Sequence, residues 1–468
     1  MLLLKPRKRR TCLQTAEGLR RLRVCPLVAG ARIGFNCCMR EKSTNLHGVE
    51  SAYAWTRLTA SLALMTISGV GMYSASVVLP AVQRDFGVAR ADASFPYTLT
   101  LIGFGVGGVL MGRLADRFGV MVPIIVGALC LGLGFVAAGS AASLWQFSVV
   151  HGVLIGLLGI SATFAPLAAD TSQWFTRRRG IALAICMSGN YLAGVVWPPV
   201  MQHFIQAAGW RQTYFGLGIF CVATMLPLAL LLRRPAPVVA NQPAGTAAPV
   251  ARSARFVGRS DPRRPLGLHP DVLQLLLSVA GVGCCVAMAM PQVHIIAYCT
   301  DLGFGAARGA EMLSLMMGAG IVSRLVSGWI SDHIGGLHTL LLGSVLQGIA
   351  LLLFLPVDGL VPLYVVSGMF GLFQGGIVPS YALIVREYFT PSQAGARVGI
   401  VLLATMLGMA LGGWLSGAIF DWSGSYHAAF INGIGWNLLN VGIVIFLVCR
   451  ARQSRIQAIR AAPPVAAR

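Results

Sequence analysis

Residues 318–336 read Gly-Ala-Gly-Ile-Val-Ser-Arg-Leu-Val-Ser-Gly-Trp-Ile-Ser-Asp-His-Ile-Gly-Gly, an apolar helical pattern with one arginine, Arg324, well inside it. A guanidinium within a membrane helix costs about 2.5–3.5 kcal/mol on insertion scales, so it implies a use. Its planar fork can hold a carboxylate through two parallel hydrogen bonds. The competing use is structural. Arg324 stands one helical turn before Gly328, where its charged head can snorkel to an interface or serve a gate. Tyr73, Tyr191, Trp197, Gln374, Tyr381 and Trp414 also fall inside apolar runs, and each polar group there needs a partner. Packing is the ordinary reading of each. For a pocket, Tyr73 is favoured, with Tyr191, Tyr381 and Trp414 beside it. His294 titrates near neutral pH when unperturbed, but its place near a span end makes simple hydration the competing reading.

Arg324 leads into Gly328-x-x-x-Asp332-x-x-Gly335. The same spacing occurs at Gly112-x-x-x-Asp116-x-x-Gly119, 216 residues earlier in a chain of 468. Arg178-x-Gly180-Ile181, followed by Gly189 and Gly194, returns 219 residues on as Arg397-x-Gly399-Ile400, followed by Gly408 and Gly413. Two motifs in the same order at nearly one period mark a duplicated unit. Arg113, Asp116 and Arg117 read by themselves as a solvated charge cluster at a short turn, and His333 replaces the second arginine in the later copy. Gly189, Gly194, Gly408 and Gly413 suit close helix packing.

The elements that must position these residues are membrane helices. Hydrophobic residues make up 56% of the chain and charged ones 11%, against about 25% charged in a soluble domain. Mean hydropathy is +0.74. The net charge of +21 sits in tails and alternate loops rather than on one folded face, which reads as membrane orientation and not as nucleic-acid binding. The 11 cysteines show no C-x-x-C or Cys/His spacing, so neither a disulfide framework nor a metal site is indicated. No nucleophile–base pair, H-E-x-x-H, D-x-D or phosphate loop stands in or beside the apolar runs, and no cofactor is implied. An enzyme is excluded on those grounds.

Apolar runs long enough to cross a ~30 Å hydrocarbon core fall at 58–80, 94–112, 120–139, 144–168, 180–204 and 213–232, and again at 271–297, 309–330, 337–356, 361–385, 397–420 and 428–449. The expectation is an all-α polytopic membrane protein of twelve transmembrane helices in two six-helix pseudo-symmetric halves. Its domains would be a basic tail over 1–57, a bundle over 58–232, a Pro/Ala/Arg-rich linker over 233–270, a second bundle over 271–449 and a tail over 450–468. Residues 1–50 lack helical periodicity and read as a disordered tail, or as a stretch upstream of a start at Met39. The loops after even-numbered spans carry fourteen arginines against four in the opposite loops. Both ends and the linker are therefore expected in the cytoplasm.

Twelve spans in two halves, with Gly-Arg-Leu-Ala-Asp-Arg-Phe-Gly at 112–119 between spans 2 and 3, resemble the major facilitator superfamily over residues 55–450. Gln173-Trp174-Phe175-Thr176-Arg177-Arg178-Arg179-Gly180-Ile181-Ala182, later Gly209-Trp210-Arg211, and His294 followed by Asp301-Leu302-Gly303 are similar to the oxalate/formate exchanger and monocarboxylate porter branch. The resemblance implies a secondary transporter working by alternating access, with Arg324 as the substrate-anion arginine. It also implies that Gly112, Arg113, Asp116, Arg117 and Gly119, with Gly328 and Asp332, brace the two halves in one conformation. Mammalian-type porters carry an aspartate one turn before the arginine, where this chain has Gly320. Oxalate exchangers add a lysine in span 11, while the lysines here are Lys5, Lys8 and Lys42. All fifteen acids appear to the sequence reading as loop, tail or span-edge residues. The expected substrate is thus a singly charged small organic anion, a monocarboxylate, moved with a proton or against a counter-anion. The expected setting is a monomer among the lipids of the inner cell membrane. The rival is an exporter of drugs or other metabolites, which a membrane acid in span 1 would have favoured.

Overall fold

The computed structural model describes residues 50–175, 178–234 and 265–460. Most of the expected N-terminal tail, most of the linker, the Met39 start and the last eight residues lie outside the described residues. Among those described, the chain is a succession of long helices. The twelve apolar ones are α1 (Ala52–Phe86), α2 (Arg90–Phe118), α3 (Met121–Gly139), α4 (Leu144–Trp174), α5 (Gly180–Ala208), α6 (Trp210–Leu230), α7 (Pro270–Asp301), α8 (Ala306–Ile334), α9 (Gly336–Leu353), α10 (Leu360–Tyr388), α11 (Gln393–Ser423) and α12 (Tyr426–Ser454). They form the two six-helix halves. Leu133, Ile219, Leu275, Val361 and Leu438 stand exposed on the flanks, as side chains facing lipid do. With an even number of spans, the first helix begins and the last helix ends on the same face, here termed the terminal face.

Each apolar run matches a helix, but several helices extend beyond their runs. A hydropathy pattern stops at the first charge, whereas the i→i−4 ladder continues wherever the backbone is satisfied. So α1 begins at Ala52, inside the expected tail, α2 begins at Arg90, and α4 runs on to Trp174. The Ser51 hydroxyl caps α1 by accepting from Ala54 N–H at 3.3 Å. The consequence is chemical: Arg57, Arg90 and Asp170 lie within helices.

The duplicated motifs have one local structure. Gly119 and Gly335 end α2 and α8 with φ of 82° and 81°, and their N–H groups donate to Ala115 and Ser331 carbonyls at 2.8 and 2.9 Å. That backbone is left-handed, which is why glycine closes both copies.

Three helices are irregular. Gly69 divides α1 into Ala52–Ser68 and Val70–Phe86, where a Cβ would lie 2.4 Å from Ala193 Cβ of α5. In α4, residues His151–Ile160 are π-helical. Its counterpart in the second half, α10, divides into Leu360–Gln374 and Ile377–Tyr388. Pro379 removes the N–H that would bond the Gly375 carbonyl and crowds it, and α10 packs closely on α8 there: a Cβ on Gly371 would fall 2.0 Å from Met316 O, and one on Gly375 would fall 2.3 Å from Gly320 O. Backbones this close require glycine.

One acid departs from the expected loop, tail and span-edge positions. Asp170 is 7% exposed in α4 and meets Arg57, 2% exposed in α1. Arg57 Nε donates to Asp170 Oδ2 at 2.7 Å and Nη2 to Oδ1 at 2.8 Å. Nη1 donates to Arg234 O at 3.0 Å and to Tyr53 Oη at 3.3 Å, while Tyr53 Oη donates to Leu231 O at 2.6 Å. The guanidinium also lies 4.8 Å from the Trp174 ring. One ion pair thereby fastens α1, α4 and the end of α6 together. Removing one partner leaves a buried charge uncompensated, at a cost of about 3–5 kcal/mol, whereas replacing both by apolar groups is tolerated. Asp170→Ala should therefore melt well below wild type in detergent, and Arg57→Met combined with Asp170→Leu should recover most of the loss. Equal melting of the single and double variants would show that the pair is not coupled.

Candidate functional site

The two halves meet along α2 with α11 and along α5 with α8. At the face opposite the termini the contact is charged. Arg90 of α2 donates through Nη1 and Nη2 to the Asp301 carboxylate that ends α7. Its Nη1 also reaches Tyr426 Oη at 3.0 Å, and its Nε reaches Gln83 Oε1 at 3.0 Å. The guanidinium carbon stands 4.2 Å from the Phe420 ring. The Asp421 carboxylate of α11 accepts the Arg90 and Ala91 backbone N–H groups at 2.8 and 2.7 Å. An acid from one half thus caps the first turn of a helix in the other, where the helix dipole favours it.

Beneath that closure, Thr98 Oγ1 donates to Ala410 O at 2.9 Å. On the other flank Ser314 Oγ donates to Val195 O at 2.5 Å. Contact fades toward the terminal face. A Cβ on Gly108, Gly112 or Gly328 would meet nothing within 4 Å. Arg113, Asp116, Arg117 and Asp332 are exposed there, and among the described residues none of the four has an ion-pair partner. The halves are held at one face and parted at the other.

Arg324 sits where contact gives way to opening. It is half-buried on α8, its Nε donates to Gly375 O at 3.4 Å, and its guanidinium carbon lies 4.3 Å from the Tyr191 ring of α5. Pro379, four residues on, has no N–H to offer that carbonyl. Among the described residues no carboxylate lies within ion-pair distance of Arg324. Tyr73 is buried close by, with its hydroxyl donating to Asn190 O at 3.3 Å and lying 3.4 Å from Met317 Sδ. Gly194 and Gly320 let these groups converge, since a Cβ there would fall 2.6 Å from Tyr73 Cζ and 2.6 Å from Tyr191 Cε1. Arg324, Tyr191 and Tyr73, from α8, α5 and α1, form one polar-aromatic cluster between the halves. A guanidinium over an aromatic face, with no acid beside it among the described residues, has hydrogen-bond donors to offer an anion.

The other sequence candidates stand elsewhere. Tyr381 is fully buried within the second half, where its hydroxyl donates to Asn440 Oδ1 at 3.0 Å. Asn440 Nδ2 in turn donates to Ser344 Oγ at 2.8 Å. The residue belongs to a satisfied polar network of the bundle core. Trp414 is 39% exposed and lines an outer-flank cavity of about 330 Å³ with Asp92, Phe95, Leu144, Trp145 and Ser148. His294 is fully buried, not hydrated. Its Nε2 is 2.8 Å from Gly413 O and its Nδ1 is 3.0 Å from Tyr426 Oη, so it supports the charged closure.

Sequence reasoning named Asp301 only as part of a motif and gave Arg90 and Asp421 no role, because each closes or opens a helix beyond its apolar run. It weighed Gln374 but had no means to pair it with Gln292, whose Nε2 donates to Gln374 Oε1 at 2.8 Å. Polar residues inside otherwise apolar runs were the available signal.

Comparison with known proteins fits this geometry. Monocarboxylate transporter 13 of Bos taurus is 26% identical over 349 residues, covering 73% of this chain and 76% of that protein. Human monocarboxylate transporter 11 is 25% identical over 413 residues, covering 85% and 83%. The MFS-type transporter opdF of Penicillium oxalicum is 26% identical, covering 77% and 82%. Among solved structures, a bacterial homologue of the human lysosomal transporter Spinster, inward-facing and unoccupied, superposes with a TM-score of 0.63 at 14% identity, covering 89% of this chain and all of that one. At that identity the likeness is one of fold. The Major Facilitator Superfamily sequence model matches residues 61–369 and 312–466. The chain belongs to the Major Facilitator Superfamily.

Proposed function

We propose that this transporter carries a small organic anion, a monocarboxylate, across the inner cell membrane by alternating access. The observation that carries the reading is Arg324: a guanidinium between the halves, stacked on Tyr191 and without a carboxylate partner among the described residues. Tyr73 and Tyr191 complete the site, the first as a hydroxyl and the second as the aromatic face that orients the fork. The branch supports it too, since relatives from mammals are named as monocarboxylate transporters. Other relatives are fungal, and one of them is named as an agnestins efflux protein at 22% identity. An exporter of larger metabolites is the rival reading.

The arginine-rich loops support a cytoplasmic terminal face, and on that orientation the described state is inward-facing. Arg113, Asp116 and Arg117 then await the opposite half, which packs against Gly112 and Gly328 when the cytoplasmic side closes. Among the described residues no acid stands beside Arg324 to carry a coupled proton. Asp170 is neutralised by Arg57, and both His294 nitrogens are engaged. The anion therefore moves in exchange for another anion, or brings its own proton.

Uptake of a labelled monocarboxylate into proteoliposomes tests the site. Arg324→Ala should abolish uptake, and Arg324→Lys should keep at most a few per cent, because it retains charge but loses the bidentate fork. Full uptake by Arg324→Ala ends the anion reading and leaves the exporter. Asp116→Asn should slow exchange several-fold at nearly unchanged affinity. A selective loss of affinity would instead place Asp116 at the substrate. Reporter fusions after Ala240 and after Arg450 should both report cytoplasm, and an external signal at either point would invert or break the topology.

A further inference from the structure

A second pair of polar side chains adjoins the Arg324 site. Gln374 is the last residue of the first segment of α10, immediately before Gly375, whose carbonyl receives Arg324. Its side chain turns to α7, where Gln292 Nε2 donates to Gln374 Oε1 at 2.8 Å. Gln374 is 1% exposed, and its own Nε2 is buried without a hydrogen-bond partner. Gln292 is half-buried, so the amide pair is uncovered at its Gln292 end. An amide N–H2 held in place by a neighbour and left without an acceptor is a preformed donor, because burial has already removed its water.

We propose that the Gln292–Gln374 pair is a second recognition point, in which Gln374 Nε2 donates to a neutral acceptor oxygen at the far end of the substrate. This rests on the reading of Arg324 as the carboxylate site. Arg324 reaches from α8 to Gly375 O and the Tyr191 ring of α5, whereas the amide pair joins α10 to α7, so the two points face different helices. A substrate bridging them has its carboxylate at one end and a keto, hydroxyl or amide oxygen several carbons away. A second carboxylate is disfavoured there, since among the described residues no second cation accompanies the amides. Gln374 becomes a specificity-determining residue that touches substrate, and Gln292 positions it by holding its carbonyl.

The test compares pentanoate, 2-oxopentanoate, 4-oxopentanoate and glutarate on the purified full chain, by thermal-shift titration and by competition for proteoliposome uptake. Wild type should bind 4-oxopentanoate about tenfold tighter than pentanoate, the worth of one neutral hydrogen bond, and glutarate weakly. Gln374→Leu should bring the 4-oxo to plain ratio to about one. Gln292→Leu, at a half-buried position, should lower the same ratio and serves if Gln374→Leu does not fold. Arg324→Ala should weaken both monocarboxylates alike. Equal binding of pentanoate and 4-oxopentanoate by wild type would overturn the proposal, as would a gain confined to the 2-oxo isomer or a ratio unchanged in the glutamine variants. Failure of every carboxylate to bind wild type would instead remove the anion site on which it depends.

Discussion

Two bundles joined by a linker can alternate only if one end of their interface holds while the other is free, and here Arg90 is the hold. It contributes its guanidinium to Asp301, its backbone N–H to Asp421 and its planar face to Phe420. Both acids come from the other half. The arrangement places a cation between anions beside an aromatic surface, and His294 stiffens it from below through Tyr426 and Gly413. Hydrogen bonds to charged groups contribute roughly 1.5–3 kcal/mol each where water is scarce. Such contacts are strong in one geometry and lost after a small rotation, so the closure acts as a latch rather than a glue.

The site follows from packing as much as from charge. Glycines at 371 and 375 bring α10 against α8 so closely that no side chain fits between the backbones. The helix breaks just there, and the Gly375 carbonyl, which has only Pro379 without an N–H four residues on, accepts from Arg324. Unwound backbone in a membrane protein is tolerated where it lines a cavity or is buried in protein. The π-helical run His151–Ile160 in α4 sits at the corresponding place in the first half. Both halves thus carry an irregular helix at the same position, as a duplicated unit predicts.

Much of this was legible in the sequence. Apolar run length fixed the number of helices, and the repeat of Gly112-x-x-x-Asp116-x-x-Gly119 at Gly328-x-x-x-Asp332-x-x-Gly335 revealed two halves. The final glycine of each copy even has the same backbone. Arg324 was conspicuous because charge is expensive in lipid. Partners were not legible. Arg57 and Asp170 lie 113 residues apart and Arg90 and Asp301 lie 211 apart, and single-sequence periodicity carries no information about such pairs. Tyr381, Trp414 and His294 show the same limit from the other side. A polar side chain inside a span needs a partner, but only the fold says whether that partner is a substrate, a neighbouring asparagine or a backbone carbonyl.

An unpaired guanidinium also constrains the transport cycle. A ligand shifts a two-state equilibrium only by the difference between its affinities for the two states. In the described state Arg324 lies beside the opening, where water from the terminal face can solvate its free nitrogens. When the halves close at that face, the same guanidinium passes through a dehydrated intermediate. Without a counter-charge that step bears the cost of an isolated buried cation, several kcal/mol. A bound carboxylate neutralises the cation and removes most of the penalty. On the proposed anion site, loaded carrier therefore crosses readily while empty carrier crosses slowly, and turnover is fastest when anion is present on both sides. Exchange is then a consequence of one arginine having no acid beside it. An aspartate one turn earlier, where this chain has Gly320, would supply a resident counter-charge and permit the empty carrier to return.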